Sequence, residues 1–198
     1  MSLTRRSLVA RGLAGAGTLA LPGSLVAAAT AHAQSDAETD ALESFVELEQ
    51  AAELAYSLAA EEGDLNGDAR ALFEELSIHS GDRATAFSEA LEQLLVEPPD
   101  ASSDADDYDS LSDFDPASPQ DDLLGFMIDL ELDAITAYEE DEPELDEPDL
   151  VRSAAQMAAS HAQALVALRI LAGEKKDPTD LSESSTSATK EEDSDAGS

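Results

Sequence analysis

Glutamate and tyrosine recur at one fixed spacing in two places. Glu49 and Tyr56 lie in the stretch ELEQAAELAY, and Glu131 and Tyr138 lie in DLELDAITAY, each tyrosine following its glutamate by seven positions. The two phrases are identical at five of ten positions. Seven positions make about two turns of α-helix, so each pair shares one stripe of its helix. If that stripe faces an apolar interior, a carboxylate on it costs several kcal/mol unless a cation, a hydrogen-bond donor or a proton meets it. The chemistry to look for is neutralisation of two buried carboxylates. Tyr56 and Tyr138 suit such a stripe as core aromatics with one polar end, with redox participation as the alternative.

The elements that would position these residues are helical. From Asp40 to about Glu62, Leu42, Phe45, Val46, Ala52, Ala55, Leu58 and Ala59 recur at helical spacing. GDLNGD breaks the pattern, and Asp68 is a candidate N-cap for a second helix reaching about Val96, with Leu72, Leu76, Ala84, Phe87, Leu91 and Leu94 as its core stripe. A third helix is expected from about Gln120 to Glu140 and a fourth from about Asp149 to Gly173. Nothing reads as a strand, because β-branched residues are sparse and apolar alternation is absent. The expected fold class is therefore all-α.

Connection lengths select the topology. Short loops make helices 1 and 2, and helices 3 and 4, antiparallel neighbours, while PPDASSDADDYDSLSDFDPASPQ is long enough to travel back along a bundle. Two hairpins joined by one long crossover is the ferritin-like arrangement, and each hairpin opens with one copy of the repeated phrase.

From about residue 40 to 173 the chain resembles the ferritin-like superfamily, especially its secreted prokaryotic members. The resemblance rests on Glu49 with Tyr56, on Glu131 with Tyr138, and on HAQALVALRILAG in the fourth helix. It implies a di-iron or di-manganese centre held by one Glu from each of two helices and Glu-x-x-His from each of the other two. Glu49 and Glu131 match the first part of that set. In the second helix the family's Glu falls on Ser80 and its His on Arg83. In the fourth, one register places Glu on His161 and His on Ala164, and the other keeps His161 but places Glu on Ala158. No Glu-x-x-His survives in any register. Arg83 could then supply a fixed positive charge to the two glutamates, a Glu-Arg-Glu arrangement replacing the metal. The alternative is a site for iron or manganese using Glu49, Glu131 and His161, with Glu53 or Asp129 as substitute ligands.

Other chemistries have little support. Asp64, Asn66, Asp68 and Glu75 partly match a calcium loop, but Ala69 stands where that loop needs glycine. There is no cysteine, no Gly-x-Ser-x-Gly and no phosphate loop. His79 sits beside the inner stripe and reads as a surface residue.

The charge bounds the partners. There are 45 acidic residues against 10 basic, a formal net charge of −35, which opposes binding to nucleic acid or an anionic membrane. Such a surface repels itself unless salt screens it, and with only three lysines it resembles the proteins of halophilic archaea. A many-copy cage is disfavoured for the same reason. Residues 1–33 read as an export signal: Thr4-Arg5-Arg6-Ser7-Leu8-Val9 resembles the twin-arginine motif, a Gly- and Ala-rich apolar segment follows, and AHA ends at Ala33. Retention as an uncleaved anchor is the alternative. Residues 34–39 read as a linker, 40–173 as the bundle, and 174–198 as a disordered acidic tail. The expectation is an exported, salt-adapted ferritin-like domain with a degenerate metal site, located outside the cell or in its envelope, with an envelope protein as candidate partner and a structural or binding role rather than a catalytic one.

Overall fold

The computed structural model describes residues 36–173. Four helices dominate: α1 Asp36–Glu62, α2 Gly67–Gln93, α3 Gln120–Asp141 and α4 Pro148–Leu171. Among the described residues there is no strand, only an isolated bridge between Asp64 and Pro119. The expected all-α four-helix bundle is what forms. The helix pairs α1 with α2 and α3 with α4 make the most extensive contacts, while α1 also touches α3 and α2 touches α4.

The crossover does return along the bundle. Gln120 Oε1 accepts a hydrogen bond from the Asn66 backbone at 2.8 Å, so α3 starts beside the turn that ends α1. Helices α1 and α3 are thus neighbours running in opposite directions. The connection is not purely polar, as its composition suggested. Short 3-10 turns at Ala105–Asp107 and Asp109–Leu111 bury Leu111 and pack Tyr108 and Phe114 against the core. These few apolar side chains hold the crossover to the bundle.

Helix boundaries shift in ways local chemistry explains. Helix α1 begins at Asp36, inside the expected linker, where Asp36 and Glu38 place negative charge in its first turn. The cap of α2 is Asn66, not Asp68: its side chain accepts from the Asp68 and Ala69 backbone at 2.9 and 3.0 Å. That use of Asn66 makes the partial calcium loop a helix cap. Helix α2 ends at Gln93, sooner than expected, and Leu95 follows it at φ 63. Gly63, ending α1, is required by packing, since a Cβ there would lie 2.5 Å from Ala59 O and 2.9 Å from Leu123 Cδ1. Leu58 and Leu94 are only partly buried, whereas Phe73 is fully buried. The regions read as a signal segment, 1–33, and as an acidic tail, 174–198, lie outside the described residues. No described helix is long and apolar enough to cross a membrane.

The core has two parts. One cluster contains Ala55, Tyr56, Phe73, Leu76, Leu124, Met127 and Leu168, and the other contains Leu42, Phe45, Phe87, Leu91, Tyr138 and Met157. Between them lies a polar layer.

Candidate functional site at the bundle centre

Each helix contributes to that layer: Glu49 from α1, Ser80 and Arg83 from α2, Glu131 from α3 and His161 from α4, all buried. Each belongs to the inward stripe of its helix, and Glu49, Glu131 and His161 have buried apolar residues one turn away on both sides. Glu49 and Glu131 are 0% and 2% exposed, which makes their neutralisation obligatory.

The geometry shows what neutralises them. Glu49 Oε1 accepts from Arg83 Nε at 2.8 Å and from the Tyr138 hydroxyl at 2.7 Å, and it lies 2.9 Å from His161 Nε2. Glu131 Oε1 accepts from the Tyr56 hydroxyl at 2.5 Å, and Glu131 Oε2 lies 2.7 Å from His161 Nδ1. With a carboxylate oxygen at each ring nitrogen, His161 satisfies both only by donating from both, which makes it an imidazolium. Two carboxylates and two cations leave the layer neutral.

The repeat seen in the sequence explains the tyrosines. Tyr56 of α1 serves the glutamate of α3, and Tyr138 of α3 serves the glutamate of α1. Helical side chains lean toward the N-terminus, so each tyrosine tips back from its own turn toward the bundle centre, where the antiparallel neighbour presents its carboxylate. Two similar phrases on antiparallel helices thus produce an exchange of partners. Tyr138 stacks on Phe45 with ring centroids 4.4 Å apart, and Tyr56 meets Phe73 edge-on at 5.5 Å.

Titration behaviour follows from burial and these contacts. For Glu49, burial opposes ionisation, but the charges of His161 and Arg83 and their hydrogen bonds outweigh it and lower its pKa to about 2. For His161, burial again opposes charge, and the Glu49 charge with the hydrogen bonds that the ring donates to both glutamates raises its pKa to about 9. Burial pushes both phenols well above their ordinary range, aided by Glu131 at Tyr56 and by Glu49 at Tyr138. Tyr56 and Tyr138 should therefore add no tyrosinate absorbance in an alkaline titration until the bundle unfolds. Tyr56→Phe and Tyr138→Phe variants should leave the native part of that curve unchanged.

The residues read from the sequence come together, with one change of roles. Arg83 reaches Glu49 but makes no hydrogen bond to Glu131; His161 bridges the two glutamates instead. The expected Glu-Arg-Glu unit is therefore a Glu-His-Glu unit flanked by arginine. Sequence reading missed the serines that complete it: Arg83 Nη2 donates to Ser80 Oγ at 3.0 Å and Nη1 to Ser160 Oγ at 3.3 Å. Ser80 stands where the resemblance put the family's Glu, and its small hydroxyl gives the Arg83 guanidinium an acceptor and room. The substitute ligands do not arrive. Asp129 is exposed, and the exposed Glu53 carboxylate lies against Gly81, where a Cβ would meet it at 2.9 Å. His79 is exposed, as expected.

A match to the family model described as Ferritin-like domain spans residues 37–174. The chain belongs to this ferritin-like domain family. No curated protein and no solved structure matches it.

Family membership implies a metal centre, and the donor set can be tested against one. A ferritin-like di-metal site uses about six protein ligands. Here α2 offers Ser80 and Arg83, and α4 offers His161 flanked by Ala158 and Ala164. Both His161 nitrogens donate to carboxylates, and Arg83 places a fixed cation against Glu49. Among the described residues no group of three or more His, Cys, Asp or Glu is arranged to hold a metal ion. The side chains of this ferritin-like chain do not fit a di-metal centre.

Proposed function

We propose that this is an exported, salt-adapted ferritin-like protein in which a hydrogen-bonded ion network stands where relatives carry metal, and that its role is structural or partner-binding and not catalytic. The observation carrying this reading is the Arg83 guanidinium at 2.8 Å from Glu49, with His161 bridging Glu49 and Glu131. Two cations already neutralise the two carboxylates, so bound metal would face a centre with no charge left to attract it. The export part of the proposal is supported by the twin-arginine-like start of the chain, and a protein so exported would act outside the cell or in its envelope, free or held by an uncleaved signal segment. Salt adaptation rests on the net charge of −35, which also turns away nucleic acid and anionic membranes.

The test is metal analysis of protein purified in high salt after exposure to iron and to manganese. The expected result is no stoichiometric metal and no difference from a Glu49→Ala, Glu131→Ala variant. About two ions per chain, lost in that variant, would overturn the reading. Such a result would favour the competing one, an iron- or manganese-binding oxidoreductase or iron-handling protein. One feature supports that competitor: Glu49 Oε2 is buried without a hydrogen-bond partner. Salt adaptation has its own readout, since dilution from molar salt to low ionic strength should melt the helical circular dichroism. Helicity unchanged by dilution would count against it.

A further inference from the structure

Among the described helices, α4 alone presents an outward face that carries no acid beyond its first turn. Residues 150–173 contain no aspartate or glutamate, in a chain that has 45. The exposed positions of α1 to α3 carry Glu61, Glu74, Asp82, Glu89, Asp129 and Asp133 among others. On α4, by contrast, Ala155, Ala159, Ala162, Val166 and Ile170 line one exposed stripe, with Val166 37% and Ile170 53% exposed. Their spacing of four, three, four and four is that of a helix seam made for another helix. Three alanines would let a partner backbone approach closely. Arg152, at the start of the stripe, is held by Asp149 at 2.5 Å.

We infer that this face pairs with the same face of a second copy, α4 against α4, antiparallel about a two-fold axis near Ala162. Electrostatics selects the occupant. Two copies meeting through any other helix would bury carboxylates against carboxylates, which is repulsive and leaves charges without water. The one acid of α4, Asp149, lies in its first turn and is paired with Arg152, so the stripe from Ala155 onward meets itself with no acid on either side. A basic partner would be drawn to the acidic helices and away from this stripe. A two-fold contact is self-matching, as an identical uncharged face requires. Five side chains make a small interface, at the low end for specific contacts, so the dimer is weak and concentration-dependent. It strengthens with salt, because salt screens the acids around it. The inference is independent of what fills the bundle centre, since the stripe lies on the opposite side of α4 from His161.

Sedimentation of the full chain in molar salt tests it. The expected result is a dimer fraction that rises with protein concentration and with salt, weakened at least about tenfold by Val166→Asp, which puts a charge into the contact. This position is exposed, so the substitution should leave helicity intact. The chain has no cysteine, so single-cysteine variants add a positional readout. Ala162→Cys should form a disulfide-linked dimer on mild oxidation, and Ala71→Cys, exposed on α2, should not. A monomer at all concentrations, equal cross-linking at both positions, or a dimer indifferent to Val166→Asp would overturn the inference. Flotation of the monomer with phosphatidylcholine vesicles, abolished by Val166→Asp, would assign the face to lipid instead.

Discussion

Replacing His161 with alanine should destabilise the bundle by about 3–5 kcal/mol, the cost of removing one partner from a buried charge network. The substitution deletes the bridge between the two glutamates. Glu131 would keep only the Tyr56 hydroxyl, and Glu49 would keep Arg83 and Tyr138. The layer would pass from neutral to a net negative charge, sealed between two apolar clusters where water cannot screen it. Urea denaturation at constant high salt measures the effect and keeps surface repulsion out of the comparison. His161→Gln, which can still donate a hydrogen bond but carries no charge, should fall between wild type and alanine. A loss below about 1 kcal/mol would mean that the glutamates are satisfied without the imidazolium. The large cost of breaking the network does not make the network a large source of net stability. Replacing Glu49, Arg83, Glu131 and His161 together by apolar residues of similar volume should be near neutral or stabilising. This separates a group that the fold depends on once present from one that the fold needed in order to form.

How far the sequence spoke depended on how local the signal was. The four helices and the returning crossover were legible, because apolar spacing and connection length are properties of short segments. The inward placement of Glu49 and Glu131 was legible for the same reason, each being flanked by apolar residues at helical offsets. Arg83 was legible as a charge partner of the glutamates, whereas His161, read as a candidate metal ligand, bridges the two carboxylates instead. Which cation reaches which carboxylate depends on the axial offset between helices, and no single helix records that offset. The exchange of tyrosines between repeats was hidden for the same reason. Leu111 and Phe114 escaped notice because isolated apolar residues in an acidic loop have no period to betray them. The cap at Asn66, mistaken for Asp68, reflects the usual one- or two-residue blur of helix ends.

The ion network should also give stability a defined pH window, and the sign follows from each shift. His161 has a raised folded-state pKa, about 9 against 6.5, so its contribution is complete below pH 6.5 and is lost as pH rises toward 9. Glu49 has a depressed folded-state pKa, about 2 against 4.5, so its contribution is complete above pH 4.5 and is lost as pH falls toward 2. The two stabilise each other, so the limbs describe one interaction approached from two sides. Each is on the order of 3 kcal/mol. The acid limb will be blurred, because protonating surface carboxylates relieves the repulsion among them and opposes the loss at the centre. The alkaline limb is cleaner, since carboxylates do not titrate between pH 6.5 and 9. Free energies of unfolding at pH 6 and pH 9 in the same high salt should differ by about that amount, and His161→Gln should remove the difference. A slope that survives in the variant would place the titrating group elsewhere and take from the centre its main electrostatic signature.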